Sequence, residues 1–199
     1  VVVDKDKLET PPNLGILKSP DMGQPLMLAA ESYFIQAQAN LKGITGTVAD
    51  AEMNYKAGVF ASFKYLEKAG TNELKAGQNP TSDTAIYFAD NIAKPLVNFA
   101  LATDNAKKLE AIVTQQYVAY NQICGHQAWF EYVRTGYPTI TGSNTTANRN
   151  NTFVSTTSES TAPDRLPARI LYPSNEYSYN SNNVPSGISA FTSKIFWAK

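Results

Sequence analysis

Apolar positions along residues 26–42 recur at steps of three and four. Met27, Ala30, Phe34, Ala37 and Leu41 fall on one stripe, which predicts a helix. Lys42 suits the negative end of its dipole, and Gly43 suits a left-handed C-cap. A second stripe follows at once: Val48, Ala51, Tyr55, Val59, Phe63 and Leu66. Thr47, with Asp50 three residues on, reads as its capping box, and Lys68 and Gly70 as its close. Two helices joined through Ile44-Thr45-Gly46 make an antiparallel hairpin, and alanines such as Ala30, Ala37, Ala51 and Ala57 let them approach closely. Such hairpins build tetratricopeptide-type repeats, so the hairpin is TPR-like.

The pattern then weakens. Residues 71–81 read as a polar loop, and Ser82 or Asp83 as the cap of a short helix reaching Ala93, before Pro95. Asp104 caps a third long helix striped by Leu109, Ile112, Val113, Gln116, Tyr117 and Tyr120, and a fourth runs from Ile123 to Arg134. Residues 1–25 hold too many prolines and glycines for a helix and read as an extended lead-in. After Pro138 the character changes. Residues 139–162 are rich in Thr, Ser and Asn, and Phe153 and Val154 are nearly their only bulky apolar side chains. Pro163, Pro167, Pro173 and Pro185 then interrupt a Tyr- and Asn-rich tail ending near Ile195-Phe196-Trp197. The expected fold is therefore mostly α: TPR-like hairpins with long irregular loops and an irregular C-terminal tail. Its parts are a lead-in at 1–25, a helical scaffold at 26–138, and a loop and tail at 139–199 packed on the helices, all one domain.

Charge and composition remove several function classes. The 199 residues carry 17 Lys plus Arg against 17 Asp plus Glu, and no basic run stands out, so nothing draws nucleic acid or an anionic membrane. No apolar stretch approaches the roughly 20 residues that span a bilayer. Val1-Val2-Val3 is far too short for a signal peptide. The modest charge and abundant Tyr, Asn, Thr and Ser lean towards an exported protein.

Catalytic chemistry finds few handles. His126 is the single histidine and lies two residues from Cys124, the single cysteine; on a helix, such neighbours face different ways. One Cys and one His fall short of a zinc site, and no EF-hand spacing occurs. Asp50 with Glu52, or Glu131 with a distant partner, would be the carboxylates of a glycosidase, but acids early in a helix ordinarily serve its dipole. Gly43-Ile44-Thr45-Gly46 lacks the lysine of a phosphate loop. The expectation is a protein that is not an enzyme and has no cofactor and no metal. Among the aromatics, Tyr55, Phe60, Phe63, Tyr117 and Tyr120 sit at helical spacing and read as core. Phe153, Tyr177 and Tyr179 lie in irregular chain and are the better candidates for ligand or partner contact.

Four stretches together resemble one family. They are Ala29-Ala30-Glu31-Ser32-Tyr33-Phe34-Ile35-Gln36-Ala37-Gln38-Ala39 leading to Tyr55-Lys56-Ala57-Gly58-Val59-Phe60; Ile112-Val113-Thr114-Gln115-Gln116-Tyr117; Ala128-Trp129-Phe130-Glu131-Tyr132-Val133-Arg134-Thr135-Gly136-Tyr137-Pro138; and Leu166-Pro167-Ala168-Arg169-Ile170-Leu171-Tyr172-Pro173. Their order and spacing resemble the carboxyl-terminal part of SusD/RagB-type outer-membrane lipoproteins of Bacteroidetes. The most specific piece runs from Trp129 to Pro138. Val133, Gln127 and Gln38 depart from the family's usual Arg, Glu and Glu.

The resemblance implies a lipid-anchored protein on the outer face of the outer membrane that caps a SusC-type TonB-dependent β-barrel transporter. It would hand down an oligosaccharide, or less readily a peptide. It also implies that the chain is part of a longer protein, with the anchoring lipid outside these residues. Trp129, Arg134 and Tyr137 would be structural, holding a helix end against the core, with Glu131 or a carbonyl as partner of Arg134. Asp83-Thr84-Ala85 also matches that phylum's O-glycosylation pattern. The alternative expectation is a helical-repeat protein–protein adaptor without a small ligand, and a glycoside hydrolase ranks third.

Overall fold

The computed structural model describes Ile16, Lys18, residues 22–140, Val154, Ser155 and residues 157–199. The order of helices is α1 (Ala29–Leu41), α2 (Val48–Leu66), α3 (Pro80–Asp90), α4 (Asn105–Tyr120), α5 (Gly125–Thr135) and α6 (Ser174–Tyr179), with a 3-10 turn at Phe99–Leu101. The fold is thus mostly α with irregular connections. The chain forms two compact units, Val1–Ala128 and Trp129–Lys199, and the division falls within α5.

The first unit is organised by the α1–α2 hairpin. Gly43 and Gly46 turn the chain with φ of 68° and 59°. At Gly46 a Cβ would sit 2.5 Å from the Asn40 amide and 2.8 Å from an Asp50 carboxylate oxygen, so the tight connection needs glycine twice over. The capping box is present in full: Thr47 Oγ1 accepts from Asp50 N, and Asp50 Oδ2 accepts from Thr47 N at 2.7 Å. The helices then run antiparallel. Asn54 Nδ2 donates to Asn40 Oδ1 near the turn, and Phe34 lies against Gly58 further along.

The two stripes supply the core except at their first positions, Met27 and Val48, which are both exposed. Phe34, Ala37, Ala51, Tyr55, Val59 and Ile112 are buried together. Met27 is not among them: α1 begins at Ala29, Leu28 takes the buried place, and Met27 is exposed. Tyr55 is the aromatic node, with Phe34, Phe88 and Phe99 around it at centroid distances of 6.4, 6.3 and 5.3 Å. Its hydroxyl donates to the Val97 carbonyl at 2.9 Å, so the phenol is both buried and satisfied. α4 joins through polar contacts as well as apolar ones. Gln38 Nε2 donates to Gln116 Oε1, and Gln116 Nε2 donates to the Tyr120 hydroxyl, each at 2.8 Å, inside the core.

Other boundaries also differ from the sequence expectation: α5 begins at Gly125 rather than Ile123. α2 ends at Leu66 with Glu67 as C-cap, while Lys68 pairs with Leu74 in an antiparallel bridge rather than closing the helix. α3 starts earlier: Asn79, not Ser82 or Asp83, is the cap, accepting from Ser82 N at 3.2 Å, and Pro80 fills the first turn. It stops at Asp90. The tail is not wholly irregular, because Ser174–Tyr179 is a short helix.

Candidate functional site

In the second unit, α5 organises the family-like motif. The Trp129 indole donates to the Pro167 carbonyl at 2.9 Å and its ring lies 5.2 Å from that of Phe130. The Tyr132 hydroxyl donates to Asp164 Oδ2 at 2.7 Å, and Asp164 Oδ1 accepts from Leu166 N, so one carboxylate fastens both α5 and the 164–166 turn. Burial first, and then the hydrogen bond to Asp164 and its charge, push the Tyr132 phenol above its ordinary value. Arg134 reaches back one turn to Glu131 Oε2 at 2.5 Å. At the end of α5, Gly136 adopts φ 77°, Tyr137 N donates to Thr135 Oγ1 at 3.1 Å, and the Lys199 ammonium lies 5.0 Å from the Tyr137 ring centroid. Lys199 N also donates to the Val133 carbonyl. Trp129, Arg134 and Tyr137 therefore lie along α5 and the turn after it, each with a partner inside the unit.

The candidate contact residues are distributed differently. Phe153 lies outside the described residues. Tyr177 and Tyr179 lie on α6, 45% and 88% exposed. Two residues apart on a helix, they point to different sides and do not form one flat platform. A third exposed aromatic precedes them: the Arg169 guanidinium sits 5.2 Å from the Tyr172 ring centroid. Ile170 and Leu171 between these two are also exposed. Arg169 and Tyr172 were in the family-like stretch but carried no signal of ligand contact, and spacing does not reveal their pairing.

The groups that could have done chemistry have structural employment. Asp50 is held below its ordinary value by its hydrogen bonds to Thr47. Glu52 pairs with Lys56 at 2.7 Å. The Cys124 thiol is pushed up by burial and by the nearby Glu31 charge, the wrong direction for a nucleophile. His126 is exposed on α5. Among the described residues, no three of His, Cys, Asp and Glu gather where a metal ion could be held. Thr84 has its hydroxyl buried and donating to the Pro80 carbonyl at 2.6 Å, so the folded helix does not present it for glycosylation. No helix among the described residues is long and apolar enough to cross a membrane.

With this geometry in hand, the comparisons are direct. The family model for SusD-like proteins, described as SusD and RagB outer membrane lipoprotein, matches residues 7–195. A crystal structure of a SusD homolog from Bacteroides fragilis NCTC 9343 superposes with a TM-score of 0.59 at 25% identity over 88% of this chain. A second SusD homolog from the same organism superposes with a TM-score of 0.55 at 26% identity over 77% of the chain. The chain spans 35% and 29% of the length of these two solved proteins. No curated protein matches the sequence. The match over 7–195 takes in the helical hairpin, α5 with its Trp-to-Pro motif, and α6 alike, and the chain belongs to the SusD-like family of outer membrane lipoproteins.

Proposed function

We propose that the protein to which this chain belongs is a surface-exposed nutrient-binding lipoprotein of the outer membrane. It captures an oligosaccharide, ahead of a peptide, and delivers it to a SusC-type TonB-dependent β-barrel transporter. The observation that carries this reading is the family match over residues 7–195. The α1–α2 hairpin serves as a TPR-like unit of the scaffold. Delivery on this reading is a gating motion and involves no bond chemistry.

The preference for a glycan rests on the exposed phenols of Tyr177 and Tyr179, with Phe153 as a third contact. A tyrosine offers an apolar face to a sugar ring and a hydroxyl to its edge. Trp129, Arg134 and Tyr137 hold the frame. Calorimetric titration of the full-length protein with a panel of soluble oligosaccharides and peptides tests the assignment. The expected result is saturable binding of an oligosaccharide, weakened several-fold by Tyr177→Ala or Tyr179→Ala. Binding of peptides alone would replace the ligand class. Binding of neither, together with a stable complex with a soluble protein, would favour an adaptor.

A further inference from the structure

Glu67 is an unusual place for a carboxylate. It is 5% exposed, and its Oε2 is buried without a hydrogen-bond partner. It is also the C-cap of α2, where the helix dipole presents its negative end. Burial, an unpaired acceptor and the dipole all oppose a negative charge there. The side chain that meets it from α3 is another acid, Asp83, within hydrogen-bonding reach. Two carboxylates have no donor between them, so this contact is a hydrogen bond only when one carries a proton. The environments decide which. Asp83 stands in the first turn of α3, at the positive end of that helix, and is less buried. The proton therefore belongs on Glu67.

The other charged groups nearby do not neutralise the pair. Lys75, from the loop after α2, donates its backbone N–H to the Glu67 carbonyl at 3.1 Å. Lys68 directs its ammonium to Asn72 Oδ1. Lys18 donates to the Tyr65 carbonyl and lies over the Tyr65 ring. Among the described residues none of the three forms an ion pair with Glu67.

We propose that Glu67 and Asp83 share one proton, held on the Glu67 carboxyl, and that it latches the end of α2 to the start of α3 and releases them when it leaves. Burial, then the Asp83 charge and its hydrogen bond, raise the Glu67 carboxyl above its ordinary 4.5. The folded chain thus keeps a proton that the unfolded chain has lost. The latch contributes fully below 4.5 and is lost as pH rises through the raised folded value. Within that window the folding equilibrium weakens by at most about tenfold per pH unit, the limit for one proton.

The test is carboxyl-carbon NMR of the full-length protein carrying glutamate labelled at Cδ, with unfolding followed across pH in parallel. One glutamate resonance, missing from Glu67→Gln, should titrate above 4.5 and move down in Asp83→Asn, whose amide can donate to a charged Glu67. Glu67→Gln, which keeps a donor towards Asp83, should flatten the fall in stability with rising pH. The proposal is overturned if every glutamate resonance in the unsubstituted protein titrates at or below 4.5. It is equally overturned if calcium chloride stabilises the unsubstituted protein but not Glu67→Gln, since the pair would then hold a cation.

Discussion

Gly58 lies where α2 packs closely on Phe34 of α1, and substituting it sets two opposing effects against each other. In a helix interior, Gly→Ala ordinarily stabilises by about 0.5–1 kcal/mol, because alanine has less backbone freedom to lose. Here the new Cβ would stand 2.7 Å from one ring carbon of Phe34 and 2.9 Å from two others. Contacts that short require something to move. The ring cannot swing into solvent: Phe34 is 0% exposed and packs against Tyr55. Overpacking a buried site costs about 1–3 kcal/mol, so the clash outweighs the propensity gain and Gly58→Ala should destabilise by about 1–2 kcal/mol. For a cooperative unit of this size that is a fall of roughly 2–8 °C in Tm. Urea unfolding followed by circular dichroism measures it. The double variant Phe34→Leu/Gly58→Ala should be more stable than the sum of its single variants, because leucine removes the ring atoms that the Cβ meets. A Gly58→Ala protein as stable as the parent, or a double variant that is strictly additive, would refute close packing of these helices.

Three further outcomes follow from other parts of the chain. Tyr55→Phe should cost about 1–2 kcal/mol in urea unfolding, because the Val97 carbonyl loses its buried donor while the ring packing stays; burial also keeps the Tyr55 phenol protonated well above the ordinary tyrosine range, so Tyr55→Phe should leave the alkaline absorbance titration of the folded protein unchanged and lower only that of the unfolded chain. Asp50, depressed below 3.8 by its bonds to Thr47, contributes stability that is present above 3.8 and lost as pH falls through the lower folded value, so Asp50→Asn should flatten the acid limb of unfolding. Trp129→Phe keeps a ring on α5 but drops the bond to Pro167, and should cost about 0.5–1.5 kcal/mol, seen as faster amide exchange around residues 164–168 with α1 and α2 unaffected.

The parts of this molecule that were legible in its sequence are those whose signals are local. The α1–α2 hairpin could be read because its stripe, its turn glycines and the Thr47–Asp50 box all lie within forty residues and agree with one another. The Asp104 cap of α4 is of the same kind, accepting from Lys107 N at 2.8 Å. The start of α3 was misplaced because Asn79-Pro80 and Ser82-Asp83 are both acceptable openings, and proline in the first turn decided for the earlier one. α6 escaped because six residues carry too little intrinsic helicity to announce themselves. Contacts between distant residues were out of reach. Gln116 fell on the α4 stripe and Gln38 on α1, but their amide–amide bond joins residues 78 positions apart, and spacing along one chain holds no record of it. Tyr132 with Asp164, and Trp129 with Pro167, are the same case in the second unit. The α5 motif could be matched to a family by its residue order, while the partners that give it a structural role appear only in the fold.

On the proposed function, the protein to which this chain belongs works with an outer-membrane β-barrel. This is tested most directly by recovering the tagged full-length protein from mildly solubilised outer membranes and identifying what comes with it by mass spectrometry. The account predicts a TonB-dependent transporter in stoichiometric amount. Repeated recovery without any barrel protein, with the tagged protein found soluble inside the cell, would contradict it.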